Sequence, residues 1–168
     1  MDLTKYNYAF IDSQNLNLGV QELGWKIDYK KFNVYLREKY KVEKAYMFIG
    51  FVALNQNLYD KLQESGFIIH FKPTVPDLDG KIKGNVDADI VLRAMIEWND
   101  YDKAIIVSND GDFYSLVEHL YKNNKLEIVL STNRNFYSGL LAQSAKEKTQ
   151  FVDDLGEKIE YLKKKSTA

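Results

Sequence analysis

Two apolar runs that end abruptly on carboxylates constrain this chain most. Ile105-Ile106-Val107 is β-branched and continuous, and it stops at Ser108-Asn109-Asp110-Gly111-Asp112. Tyr8-Ala9-Phe10-Ile11 stops the same way at Asp12. Such runs fit strands covered on both faces, the setting of a parallel sheet flanked by helices. If the two strands are neighbours in that sheet, their acidic ends share one crevice beyond its carboxyl edge.

The rest of the pattern agrees. Residues 44–52 form another nearly continuous apolar run, and 67–71 and 127–130 read as shorter strands. Between them lie stretches with helical spacing. Residues 28–40 place Phe32, Tyr35 and Leu36 after Asp28 as a cap, and 57–65 end at Gly66. Further helices are predicted over 86–98, 113–123, 135–148 and 156–165. Residues 72–84 hold both prolines and read as a loop. Alternating strands and helices imply an α/β fold with a mostly parallel sheet. Right-handed crossovers then set helices on both faces.

Composition narrows the chemistry. The 168 residues suit one domain over 1–168, with a core of about 6–155 and a C-terminal helix to about 165. A net charge of −1 argues against a bulk basic nucleic-acid binder but not against a local basic patch. No cysteine is present, so thiolate zinc sites, disulfides and a cysteine nucleophile are excluded. With only His70 and His119, a histidine-rich metal site is disfavoured. No signal core is seen, and no apolar run approaches the roughly 18 residues of a membrane span, so a cytoplasmic setting is expected.

Four aspartates carry the chemistry: Asp12 and Asp110 at strand ends, Asp112 near the next helix start, and Asp87 opening the helix after the polar loop. Taken singly, each reads as a helix cap or turn former. Taken together, they repel. Two carboxylates about 5 Å apart cost roughly 3 kcal/mol at an effective dielectric of about 20. Either some pKa values rise or a hard divalent cation neutralises them. Asp89 competes with Asp87, but residues two apart on a helix point in different directions, so the two do not share one role.

Three segments resemble one family. Phe10-Ile11-Asp12-Ser13-Gln14-Asn15-Leu16, Lys83-Gly84-Asn85-Val86-Asp87-Ala88-Asp89-Ile90 and Val107-Ser108-Asn109-Asp110-Gly111-Asp112-Phe113 occur in the order and spacing of the NYN domains. These belong to a PIN-like nuclease group that includes the LabA-like proteins. The resemblance spans about 6–155. It implies a PIN-like, Rossmann-like three-layer sandwich and a Mg2+- or Mn2+-dependent ribonuclease. Asp12, Asp87, Asp110 and Asp112 match the family's acidic positions, and Asn15 matches a polar position beside the first. Asn109 stands where the family often has glycine, and its tolerance of left-handed backbone offers one explanation. Residues 145–151 carry Lys148 and Thr149 where a further aspartate is expected.

The expected reaction is hydrolysis of an RNA phosphodiester. Asp12 and Asp110 are the first-choice direct metal ligands, with Asp87 and Asp112 completing the site. Asn15, Ser108 and Lys83 are candidate substrate contacts. Lys72, Lys81, Lys26, Lys30, Lys31 and Arg134 are candidate phosphate-facing cations. Phe113 reads as a core anchor. The alternative is a catalytically silent RNA-binding or protein-interaction module of the same fold. A phosphatase-like enzyme is disfavoured, because Asp12 is followed by Ser13 and Gln14 rather than by a second aspartate two residues on. No membrane partner is expected, and a homodimer is compatible with the sequence.

Overall fold

Every residue of β1 (Asn7–Asp12) is buried, as an unbroken apolar run requires. The computed structural model describes residues 5–80, 82–83 and 85–163, with backbone alone at 82–83. After β1 come α1 (Ser13–Glu22), α2 (Tyr29–Tyr40), β2 (Val42–Gly50), α3 (Gln56–Glu64) and β3 (Ile68–Lys72). A hairpin of β4 (Val75–Pro76) and β5 (Ile82–Lys83) precedes α4 (Asp87–Ile96) and β6 (Ala104–Val107). The last described elements are α5 (Tyr114–Lys122), β7 (Leu126–Ser131), α6 (Gly139–Ala145), β8 (Thr149–Phe151) and α7 (Gly156–Ile159).

Six strands form one sheet in the order β3-β2-β1-β6-β7-β8, and all its pairings are parallel. Tyr8 to Ile11 register against Ala104 to Val107, so the two carboxylate-ended strands are neighbours. Connections run outward from this pair in both directions, which opens a crevice above their carboxyl ends. Alternation along each strand sorts the core into two layers. Ala9, Ile11, Ala45, Met47, Ile105 and Val107 face α1, α2 and α7, beside Leu16, Val20, Phe32, Leu36 and Ile159. Tyr8, Phe10, Tyr46, Phe48, Ala104 and Ile106 face α4, α5 and α6, beside Ile90, Ala94, Phe113, Leu120 and Leu141. Burying a Phe10- or Ile11-sized side chain contributes roughly 1.5–3 kcal/mol, so this interleaving fixes the register firmly. Phe113 is fully buried in the second layer, an anchor as expected.

Some elements differ from expectation. The sequence pattern gave no helix at 13–22, yet α1 begins directly at the Asp12 cap. The polar loop at 72–84 contains the β4–β5 hairpin. The helix predicted over 135–148 is broken: a 3-10 turn spans Arg134–Phe136, Tyr137 is extended, and α6 stops at a positive-φ Lys146. Ending there lets Thr149 to Phe151 pair with Val129 to Ser131 as the edge strand β8. Of the C-terminal helix predicted to about 165, the described residues to 163 form one turn, after which Glu160 bridges Ile27, and 164 and 165 lie outside the described residues. Among the described residues, no helix is long and apolar enough to cross a membrane.

Candidate metal centre and cleft

Asp12 ends β1 and caps α1, its Oδ1 accepting the Asn15 N–H at 3.2 Å. The side chain sits in a residue only 7% exposed. Burial, above all, lifts its carboxyl from an ordinary 3.8 to about 6; the Asn15 N–H opposes this, and the Asp87 and Asp110 charges add to it. Asp110 caps the 3-10 turn Gly111–Phe113, its Oδ1 accepting the Asp112 N–H at 2.9 Å. Asp87 opens α4, with its N–H held by Asn85 Oδ1 at 2.8 Å. Burial and then the Asp110 charge raise the Asp87 carboxyl above its ordinary value.

The crevice thus collects acids from three separate segments. Carboxylate oxygens of Asp87, Asp110 and Asp112 lie within 4.8 Å of one another. Asp12 lines the same cleft, of about 390 Å³, together with Asn15, Asn85, Asp87 and Asp110. At such separations each ionised pair repels by about 3 kcal/mol at an effective dielectric of about 20. A cation offsets this. The donors are all hard oxygens, the set that suits Mg2+ or Mn2+. Oxygens bound at about 2.1 Å across an octahedral ion sit about 4.2 Å apart. Adjacent ligands of such an ion sit about 3.0 Å apart, so the three carboxylates must draw together to share it. Asp89 lies elsewhere, paired with Lys72 at 3.5 Å.

A second cleft, of about 470 Å³, adjoins the first and shares Asn15, Leu18 and Asp110 with it. Its other walls include Glu22, Phe136 and Ser138. None of these four residues (Leu18, Glu22, Phe136, Ser138) stood out in the sequence. Leu18 and Glu22 belong to the unread α1, and Phe136 and Ser138 to the broken helix. One signal was present in the Asp-Gly-Asp element: a Cβ on Gly111 would meet Ser138 Oγ at 2.4 Å, so glycine is what admits the 136–138 segment to the cleft.

Asn15 joins the two clefts. Its Oδ1 accepts from Asn109 N at 2.9 Å and Thr132 Oγ1 at 2.8 Å, which leaves the Nδ2 donor as the available end of the amide. Ser108, a candidate substrate contact, is instead fully buried. Its Oγ accepts the Asp110 N–H at 3.1 Å and its hydroxyl also meets Asp12, so it supports the acids from beneath. Asn109 does not use left-handed backbone either; among the described residues only Lys41, Asn124 and Lys146 are non-glycine positions with positive φ. Its buried Oδ1 gathers Ser131 Oγ at 2.6 Å, Thr132 N at 2.9 Å and Asn133 N at 3.3 Å. The residue ties the acidic loop to the end of β7.

Three of the five candidate phosphate-facing cations with described side chains are engaged. Lys72 also donates to the Asn85 carbonyl, Arg134 pairs with Asp154 at 2.9 Å, and Lys31 donates to the Glu160 carbonyl at 3.0 Å. Lys81 and the side chain of Lys83 lie outside the described residues. Among the described residues, neither cleft is lined by lysine or arginine.

Comparison with known proteins agrees with this architecture. The chain is similar to the low amplitude and bright protein LabA of Synechococcus elongatus, at 24% identity over 166 residues, covering 92% of this chain and 86% of the relative. A crystal structure of a protein of unknown function from Vibrio parahaemolyticus superposes with a TM-score of 0.79 at 25% identity, covering 96% of this chain and 99% of that one. The NYN domain model matches residues 8–154, which include the β1–β6 crevice and all four aspartates. The chain belongs to the NYN family, with the PIN-like three-layer fold of that nuclease superfamily.

Proposed function

We propose that the protein is a divalent-metal-dependent ribonuclease acting at the Asp12, Asp87, Asp110 and Asp112 cluster. The observation that carries this reading is the convergence of three carboxylates within 4.8 Å beside a fourth, buried one, at the crevice of a PIN-like sheet. Asp87, Asp110 and Asp112 would hold Mg2+ or Mn2+, and Asp12 completes the donor set from the same cleft. Such an ion supplies charge neutralisation at the phosphate and lowers the pKa of bound water.

The chain's own groups do the positioning. Asn15 N–H and Ser108 fix the Asp12 carboxylate, and Asp110 is fixed by its own cap and by Ser108. Asn15 Nδ2, available beside both acids, donates to a non-bridging phosphate oxygen. Fixed donors and acceptors act without reorganising during the reaction, which is where such sites gain most. Lys83 remains a proposed phosphate contact in the segment before Asp87.

The test is a panel of single-stranded and duplex RNA and DNA, assayed with Mn2+, with Mg2+ and with EDTA, alongside Asp110→Asn. Cleavage of RNA with either ion is expected, abolished by EDTA, with the variant at least about a hundredfold slower. Cleavage that persists in EDTA would overturn the mechanism. RNA binding without cleavage under any ion would point to the silent module of the same fold.

A further inference from the structure

Phe136 stands in the larger cleft, 60% exposed, on a segment held from several sides. Its N–H donates to the Asn133 carbonyl at 3.2 Å. Asn133 accepts from Asn135 N at 2.9 Å and donates through Nδ2 to the Gly19 carbonyl at 3.0 Å. Arg134 N–H donates to Asp153 Oδ1 at 3.0 Å, and its guanidinium pairs with Asp154. A clamped turn that holds an apolar ring in water gains little for the fold. Leu18, 54% exposed, supplies a second apolar wall to the same cleft.

Charge selects what the cleft accepts. Apart from Asp110, which both clefts share and which the ion would neutralise, its described lining carries one charge, Glu22, and no basic side chain, so nothing there draws in a phosphate. The flat, neutral face of a nucleobase needs no such charge, and aromatic rings stack on bases regardless of sequence. A volume of about 470 Å³ lies in the range of small-ligand sites. Through Asn15, Leu18 and Asp110 this cleft continues into the carboxylate cleft, so a strand with its phosphate at the aspartates brings an adjacent base to Phe136.

We propose that Phe136 is a stacking platform for a nucleobase beside the scissile phosphate. This rests on the ribonuclease reading above. The test measures binding of a labelled single-stranded RNA, and of the same strand with abasic positions, by fluorescence anisotropy in Ca2+, with cleavage followed in Mn2+. Phe136→Leu keeps an apolar side chain without a ring, Phe136→Trp keeps a ring, and circular dichroism confirms that both fold. The leucine variant is expected to bind the intact RNA roughly tenfold more weakly. Its affinity for the abasic strand stays unchanged, and the tryptophan variant binds like the parent. Equal losses on both strands, no loss on either, or a parent protein that binds neither overturns the platform. Cleavage by the parent together with unchanged binding by the leucine variant removes the platform and leaves the ribonuclease. Base-dependent binding through Phe136 without cleavage removes the ribonuclease and with it the placement beside a scissile phosphate, leaving a base-binding platform on a silent module.

Discussion

Asp12→Asn should make the metal-free protein more stable, and by an amount that depends on pH. The Asp12 carboxyl is lifted from 3.8 to about 6, mainly by burial. Because the folded-state pKa is the higher one, the contribution of Asp12 to stability is fully present below about pH 3.8. It is lost as pH rises through about 6. At 1.36 kcal/mol for each pKa unit, the ionised group costs about 3 kcal/mol at pH 8 and about 1.5 kcal/mol at pH 5. Asparagine removes that charge and keeps an oxygen for the Asn15 N–H, and it caps helices as well as aspartate does. It forgoes a favourable charge–dipole interaction of about 0.3–1 kcal/mol at the start of α1. The net expectation is a variant about 2 kcal/mol more stable at pH 8, with the advantage shrinking by about 1.5 kcal/mol on going to pH 5. Urea unfolding in EDTA at pH 5, 6, 7 and 8 reads this directly. A variant less stable than the parent at pH 8, or an advantage independent of pH, refutes the reasoning that Asp12 is a buried, strained charge.

Other substitutions probe the frame around the acids. Asn109→Ala removes the acceptor shared by Ser131, Thr132 and Asn133, and orphaning buried donors costs about 1–3 kcal/mol each. A loss of roughly 3 kcal/mol in denaturant unfolding is expected, and a loss under about 0.5 kcal/mol, typical of a surface change, would show that the clamp is idle. Gly19→Ala should destabilise although alanine is the better helix former by about 1 kcal/mol. The new Cβ would meet Thr132 Oγ1 at 2.6 Å and the Thr132 backbone oxygen at 2.9 Å, and backbone cannot swing aside. A thermal midpoint that rises would contradict that contact. Saturating Mn2+ at about a hundredfold over its dissociation constant should add about 2.7 kcal/mol to the parent, visible as a higher midpoint, and Asp110→Asn should lose most of this gain.

Much of the site was legible because strand ends are. Apolar runs that stop at Asp12 and Asp110 mark where a buried sheet meets solvent, and right-handed parallel topology leaves few ways to arrange them. That the two strands are neighbours stayed a condition in the sequence, and the structure meets it with Tyr8–Ile11 registered against Ala104–Val107. Helix α1 was not legible from local preference: Asn15, Asn17 and Gly19 are poor helix formers, and its formation depends on the Asp12 cap and on packing of Leu16 and Val20. Strand β8 has three residues and borrows its order from β7. For Asn109 the sequence offers only a backbone reason, its tolerance of turns, whereas the partners of its side chain lie 22 to 24 residues away. The second cleft depends on such distant contacts too, which is why Phe136 and Glu22 were invisible to motif and spacing.

The central claim is that these carboxylates form a metal site, and a crystal soaked in Mn2+ tests it most directly. Anomalous density is expected in the β1–β6 crevice, within about 2.1 Å of carboxylate oxygens from Asp110 and at least one of Asp12, Asp87 and Asp112. Bound manganese elsewhere with this crevice empty, or acids that stay apart with no ion between them, would contradict it.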